Sequence, residues 1–373
     1  MKNDISSIEL KHIVNEMQFL IGSRLDRIVQ KEREVSIQFY ATGKGNFTIR
    51  IVPGKYLYLT KQKASGGEQH NFVMRLRKRL PIATLKGINQ IGSERIVELE
   101  LENKEGRYRI YAELFGRGNV ILCDDKGKVL AVLDRQLIED QQKEGKELSY
   151  TPPRKGLNIF EIDEKDFEKL KDSSQSSLVK ALAIDLNIGG VYSEELCLST
   201  KISKSTVPGR LADKEISMLF KSFDELRKRT ASPRIVYKGN EVFNAMPFEM
   251  ELYKDLKSKD YGTFNEAIDG FLSSYKAEER LEEIKEIKNK NMIKTQKIID
   301  EQGKALEEAK REVEENSKKG EMIYENYALV KEVLDELNKA KKRYSWAEIK
   351  EKLKGHKTIK SINEKDKKVV IEI

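Results

Sequence analysis

Four positive charges, Arg75, Arg77, Lys78 and Arg79, fall in a stretch whose apolar residues Phe72, Val73, Leu76 and Leu80 recur at helical spacing. The pattern predicts an amphipathic helix over 70–80, ended by Pro81, with its cations turned largely outward. Such a face suits a phosphate backbone, although a solvated helix face has the same composition. A second candidate is the hairpin Asn187-Ile188-Gly189-Gly190 between two short helical stretches. Its glycines allow close backbone approach, and the free amides of the following helix attract a phosphate. A plain helix connection would look the same. Little else could do chemistry. Cys123 and Cys197 are far apart with no CxxC, which argues against a disulfide framework or a cysteine zinc site. His12, His70 and His356 stand in unrelated contexts. No catalytic residue, metal ligand or cofactor is assigned.

The whole chain permits nucleic-acid binding without requiring it. Its 70 basic and 62 acidic side chains leave a net charge of +8, so local distribution matters more than the total. At 373 residues there is room for roughly two to three units of ~100–200 residues each. A hydrophobic content of 38% is low for a compact domain, which an elongated helical portion would explain. The N-terminus lacks an apolar signal core and no run approaches a membrane span, so a soluble, cytoplasmic protein with no membrane partner is expected.

Residues 1–150 read as α+β. Ser6 or Ser7 caps a first helix whose buried side holds Ile8, Ile13, Met17 and Leu20. Alternating, β-branched segments then predict strands near 23–30, 34–41, 46–53 and 55–61. More follow the basic helix at 84–90, 95–102, 107–114, 118–123 and 128–134, with Asp124 to Gly127 turning the last hairpin. Together they make an antiparallel, half-exposed sheet. Residues 151–175 read as a linker crossing the surface, and 176–230 as short helices around the glycine hairpin. Residues 231–275 hold two strands and a helix, placed as a return segment against the first domain.

From Lys276 the sequence becomes one long charged helix. Met292, Ile299, Leu306 and Val313 recur every seven residues, with Thr295, Gln302, Ala309 and Asn316 between them, which is a coiled-coil seam. Over 276–318 it would reach roughly 60 Å. A break is expected at Asn316 to Gly320, then a helix to Arg343, a short helix capped by Ser345 and Glu348, and two strands, making a small unit over 319–373. The return helix covers only about half of the long one. An exposed seam of this kind calls for a partner, either a second chain or a later segment.

The chain resembles the NFACT family over nearly its whole length. The resemblance rests on ISSIELKHIVNEM, FVMRLRKRL, GSERIVELEL, AELFGRGNVIL, LAIDLNIGGVYSEELCL, GEMIYENYALVKEVLDEL and YSWAEI. It implies an NFACT-N domain (1–175 with its linker), a helix-hairpin-helix unit (176–230), a coiled-coil helix (276–318) and a middle domain at its tip. The returning helix and an NFACT-R domain, which follow in the family, are not in the sequence, so it reads as an N-terminal fragment or half of a split protein. Self-association, or pairing with an NFACT-R partner through the open seam, is expected.

What the resemblance implies is ribosome-associated quality control. Such proteins bind a large ribosomal subunit (rRNA) that still carries peptidyl-tRNA, and recruit tRNA so that the stalled chain gains a template-free tail, alanine-rich in bacteria. Peptide-bond chemistry remains the ribosome's, so no enzyme is expected. The family's tailing-associated aspartate in the first helix matches Glu9, and its Asp-Arg pair matches Glu94-Arg95. Both aspartates are glutamates here, one methylene longer, which puts tailing in question more than tRNA binding. Arg75, Arg77, Lys78 and Arg79 become candidates for RNA-backbone contacts, joined by Arg117 and Asn119, while Gly116 and Gly118 serve the turn. The architecture also resembles formamidopyrimidine-type DNA glycosylases, but their N-terminal Pro-Glu is Lys2-Asn3 here and no cysteine cluster matches their zinc finger. A coiled-coil RNA-binding scaffold or an adhesion protein is the remaining alternative.

Overall fold

The computed structural model describes residues 4–63, 70–139, 148–153, 157–363, 366 and 368–372. It divides into two units, Met1–Glu279 and Arg280–Ile373. Alternation of apolar and polar residues builds the first. Nine strands form one antiparallel sheet: β1 (Arg24–Lys31), β2 (Glu34–Ala41), β3 (Gly45–Val52), β4 (Tyr56–Thr60), β5 (Thr84–Gln90), β6 (Ile96–Asn103), β7 (Gly106–Glu113), β8 (Asn119–Asp124) and β9 (Val129–Val132). Their order is β4-β3-β2-β1-β5-β6-β7-β8-β9. β6 and β7 pair without a slip from Ile96–Glu113 to Asn103–Gly106. The α+β class with a large antiparallel sheet is as expected.

Two helices close over this sheet. α1 (Ser7–Glu16) begins with a capping box in which Ser6 and Glu9 satisfy each other's backbone amides. α2 (Asn71–Arg79) ends two residues before Pro81, with Leu80 as its C-cap. Ile13 and Met17, with Phe72, Val73 and Leu76, bury into a core shared with Ile37, Ile49, Leu99 and Ile110. This apolar burial is the dominant stabilising term.

A second core follows the short α3 (Gln136–Glu139). It comprises α4 (Glu164–Glu168), α5 (Leu178–Ile184), α6 (Gly190–Thr200) and α7 (Asp213–Arg227). The stretch read as a surface linker contributes to it directly: Ile159, Ile162, Phe167 and Leu170 are buried with Leu182, Tyr192 and Phe223. The reason is local, because Asp163 and Asp166 form a capping box that starts α4 and turns Phe167 inward. A three-stranded sheet of β10 (Arg234–Lys238), β11 (Glu241–Met246) and β12 (Lys257–Asp260) then links the cores. Ile235, Val242 and Ala245 join the first, and Met246, Phe248 and Met250 the second.

α8 (Phe264–Glu325) starts in the first unit, where Phe264, Ile268 and Phe271 are buried, and continues into the second. It runs through Gly320, so the break expected at 316–320 falls instead at Asn326. One glycine costs a helix only about 1 kcal/mol, too little to end it alone. Met292, Ile299, Leu306 and Val313 lie exposed along it. The second unit adds α9 (Tyr327–Lys341), α10 (Trp346–Lys352), β13 (Ile359–Asn363) and β14 (Lys368–Ile371). Val333, Leu337, Ile349, Ile359 and Ile362 form its core, and Ser345 and Glu348 make the expected capping box.

Candidate functional site

The N-terminus of α1 is fastened to the turn between β5 and β6. Ser7 Oγ donates to the Ser93 carbonyl, while Gln90 Nε2 bridges the Ser7 carbonyl and hydroxyl and the Glu94 carbonyl at 3.0–3.1 Å. Ser93 Oγ donates in turn to the Leu157 carbonyl at 3.2 Å. A turn so pinned has little freedom, and it carries Glu94 and Arg95 into a fixed position. The Arg95 carbonyl accepts from the Leu114 amide at 2.8 Å, which sets its backbone against the end of β7.

Opposite this turn stands the hairpin between α5 and α6. Gly189 has a φ of +89°, where a side chain is disfavoured, and no side chain caps the α6 N-terminus. Between turn and hairpin lies a cavity of about 660 Å³. Glu9, Glu94, Arg95, Gly189 and Gly190, drawn from three separate segments, all line it, together with Asp4, Asn187, Tyr192, Phe115, Phe243, Asn244 and Tyr253. A volume of this order accommodates a compact organic group such as a nucleoside.

Its electrostatics differ from those of a simple phosphate pocket. Asp4, Glu9 and Glu94 supply carboxylates against the single guanidinium of Arg95 among the described lining residues. The α6 amides add partial positive charge from the other side. Glu9 is part of the fold as well as of the wall: its Oε2 accepts from the Ser6 amide at 2.9 Å and its Oε1 from the Tyr192 hydroxyl at 3.3 Å. Burial, reinforced by Glu9, holds the Tyr192 hydroxyl well above the ordinary phenol range, so it stays a donor. Tyr253 is raised chiefly by burial, and its oxygen accepts from the Asn244 side-chain amide at 3.1 Å. Acceptor carboxylates, one cation and aromatic edges together can take the donor edge of a base while the cation holds an anion outside.

The remaining candidates lie elsewhere. Arg75, Lys78 and Arg79 are exposed on α2. Arg77 is exposed too, but its Nε and Nη2 donate to the Ile28 carbonyl, so it also ties α2 to β1. Arg117 pairs with Asp134 at 3.2 Å and remains 62% exposed. Asn119 is fully buried, its amide donating to the Asp134 carbonyl at 2.9 Å and its Oδ1 accepting from the Asp134 amide at 3.0 Å. It has no surface to offer RNA; the turn needs it as a clamp. Asp4, Tyr192, Phe243, Asn244 and Tyr253 were not among the residues singled out from sequence. They sit in strands, a loop and a helix whose patterns report burial rather than chemistry. Among the described residues, no group of three or more His, Cys, Asp or Glu could hold a metal ion, and no helix is long and apolar enough to cross a membrane.

Comparison with known proteins places this architecture. The chain is 30% identical over 395 residues to the archaeal Rqc2 homolog aRqcH of Methanocaldococcus jannaschii, covering all of this chain and 58% of that protein. It is 22% identical to the ribosome quality control complex subunit NEMF homolog of Drosophila melanogaster, covering 95% of this chain and 42% of that one. The chain thus spans about half the length of these relatives, which carry the names of ribosome quality control factors rather than of enzymes. Among solved structures, the N-terminal part of the fibronectin/fibrinogen-binding protein from Streptococcus suis superposes with a TM-score of 0.56 at 18% identity, over 72% of this chain and 99% of that one. That likeness is one of fold. Residues 6–369 match the model of the NFACT N-terminal and middle domains, and the chain belongs to the NFACT family.

Proposed function

We propose that this chain is the RNA-reading portion of a ribosome quality control factor, which binds the large subunit carrying peptidyl-tRNA and recruits tRNA for template-free tailing of the stalled chain. The observation that carries the reading is the convergence of Glu9, Glu94 and Arg95 with the Gly189-Gly190 hairpin in one cavity, in a member of a family whose relatives bear quality-control names. In this reading a nucleobase enters the cavity, Glu94 accepts from its amino or imino hydrogens, and Phe115 or Phe243 supplies a stacking wall. Arg95 takes the neighbouring phosphate. Arg75, Lys78 and Arg79 hold backbone further along, and the exposed seam of α8 pairs with another helix.

Alanine at Arg95 tests the site. The expected result is weaker tRNA binding with a shallower dependence on salt, because one phosphate contact is lost. Unchanged affinity across a salt series would remove Arg95 from the RNA surface. A second reading, binding without tailing, is favoured by one observation: the Glu9 carboxylate is divided between Ser6 and Tyr192. Peptidyl-tRNA tailing on isolated stalled subunits, with Glu9→Asp and Glu94→Asp as comparison, separates the two. Tailing by the unaltered protein supports the first reading, and tailing only by the aspartate variants supports the second.

A further inference from the structure

The guanidinium on which the cavity depends is already engaged. Arg95 Nη1 donates to Asp4 Oδ2 at 2.5 Å and to the Ile5 carbonyl at 3.3 Å. Asp4 is 51% exposed and Arg95 28%, so the pair meets solvent while both residues line the cavity. Asp4 is not needed to start α1, because Ser6 and Glu9 close the capping box between themselves. Ile5 anchors this segment independently, through its buried side chain and its amide, which donates to the Lys55 carbonyl at 3.0 Å. The carboxylate of Asp4 therefore has a place in the site that the fold itself does not explain.

We propose that Asp4 is an internal competitor for Arg95, its carboxylate standing where an RNA phosphate must bind, so that RNA enters the cavity only as this pair opens. The proposal rests on the reading of the cavity as an RNA site. Asp4 and the Ile5 carbonyl take Nη1, one arm of the guanidinium's planar fork, so a phosphate cannot hold both arms while the pair stands. Asp4 also adds a third carboxylate to a wall whose described residues hold one cation, which repels an approaching backbone. The partly exposed pair is weak enough to open, and strong enough to set a threshold. Asp4 is thus a residue that tunes affinity and salt response without touching the bound base.

The test is fluorescence anisotropy of labelled tRNA with the full chain over a range of KCl concentrations, using Asp4→Asn, Asp4→Glu, Arg95→Ala and the double variant Asp4→Asn/Arg95→Ala. Asp4→Asn is expected to tighten binding about threefold to fivefold at low salt, the worth of a surface ion pair released. Its logarithmic salt slope should change by less than the roughly 0.7 to 0.9 of a whole phosphate contact, since Arg95 reaches the same phosphate in both proteins once the pair has opened. Asp4→Glu, which restores the charge, should return affinity towards that of the unaltered protein, and the gain should vanish in the Arg95→Ala background. Weaker or unchanged binding by Asp4→Asn, with Arg95→Ala still weakening it, overturns the competitor role and makes Asp4 a support for Arg95 or a bystander. A gain that survives in the double variant also overturns it, since charge removal then acts without Arg95. No effect of Arg95→Ala refutes the reading of the cavity itself, a result distinct from the other two.

Discussion

Glu16 and Asn265 are joined by two hydrogen bonds across almost the whole length of the first unit. The Asn265 backbone amide and side-chain amide both donate to Glu16 Oε2, at 2.9 and 2.7 Å, and the Phe264 amide donates to Oε1 at 2.7 Å. Asn265 Oδ1 accepts in turn from the Leu59 amide at 2.7 Å. A carboxylate on α1 thereby satisfies the first turn of α8 and completes its positive end. The root of the long helix is fixed against the same helix that carries Glu9.

Glu16→Ala should therefore destabilise the first unit by about 1–3 kcal/mol, since it strands amides that the fold removes from water. Glu16→Gln should recover part of that loss through its remaining acceptor. Urea unfolding followed by circular dichroism measures both. An alanine variant within a few tenths of a kcal/mol of the unaltered protein would show that Thr263, whose Oγ1 accepts from the Glu266 amide at 3.1 Å, and solvent suffice as the cap.

Gly118 is confined more tightly than its turn alone requires. With φ at +65°, a Cβ there would stand 1.8 Å from the Gly54 nitrogen and 2.6 Å from the Glu113 carbonyl oxygen. Both atoms are backbone and cannot swing aside. Gly118→Ala should cost about 3 kcal/mol or more, from overpacking added to an unfavourable φ. Its neighbour Gly116, also at positive φ but with open space around it, should lose only about 1 kcal/mol as alanine. Equal losses at the two positions would mean that the close approach relaxes freely.

Glu113 makes stability depend on pH in an unusual direction. Burial raises its carboxyl above the ordinary range, with the Tyr150 hydroxyl at 2.8 Å opposing that rise. An acid raised in the folded state binds its proton more tightly there than when unfolded. Its stabilising effect is full below the usual carboxylate value and is lost as pH rises through the higher folded value. Glu113→Gln keeps an acceptor for Tyr150 and removes the titration. The variant should match the unaltered protein in acid and become the more stable of the two as pH rises from mildly acidic to neutral. Thermal melts across that window check it, and parallel curves would place no proton at Glu113.

Most strands of the first sheet were legible because apolar and polar residues alternate along them between good turns, although β4 and β8 are buried along nearly their whole length. β12 was not, since Lys257-Ser258-Lys259-Asp260 is exposed throughout and only pairing with β10 makes it a strand. Phe167 and Leu170 were lost among charges although they sit in the second core. In the site, Gly189-Gly190 stood out as a glycine hairpin, while Glu9 and Glu94-Arg95 were marked only by the resemblance to NFACT proteins. Their meeting depends on bonds such as Ser7–Ser93 and Gln90–Glu94, between residues that carry no signal of their own. Asp4, an ordinary acidic residue in sequence, matters only because Arg95 reaches it.

The charges of α2 divide into two kinds, which makes their roles separable. Arg75, Lys78 and Arg79 are exposed, and neutralising all three should reduce the logarithmic salt slope of tRNA binding by roughly two, taking ~0.7–0.9 per phosphate. Stability should move little, because exposed cations contribute little to the fold. Arg77 donates twice to the Ile28 carbonyl, a buried strand position beneath the helix. Arg77→Ala should therefore cost about 1–2 kcal/mol of stability through the lost charged hydrogen bonds, with a smaller effect on RNA binding than any pair of its neighbours. Denaturation and anisotropy on the same preparations give both numbers. If the triple variant keeps the salt slope, α2 is a solvated face and takes no part in RNA contact.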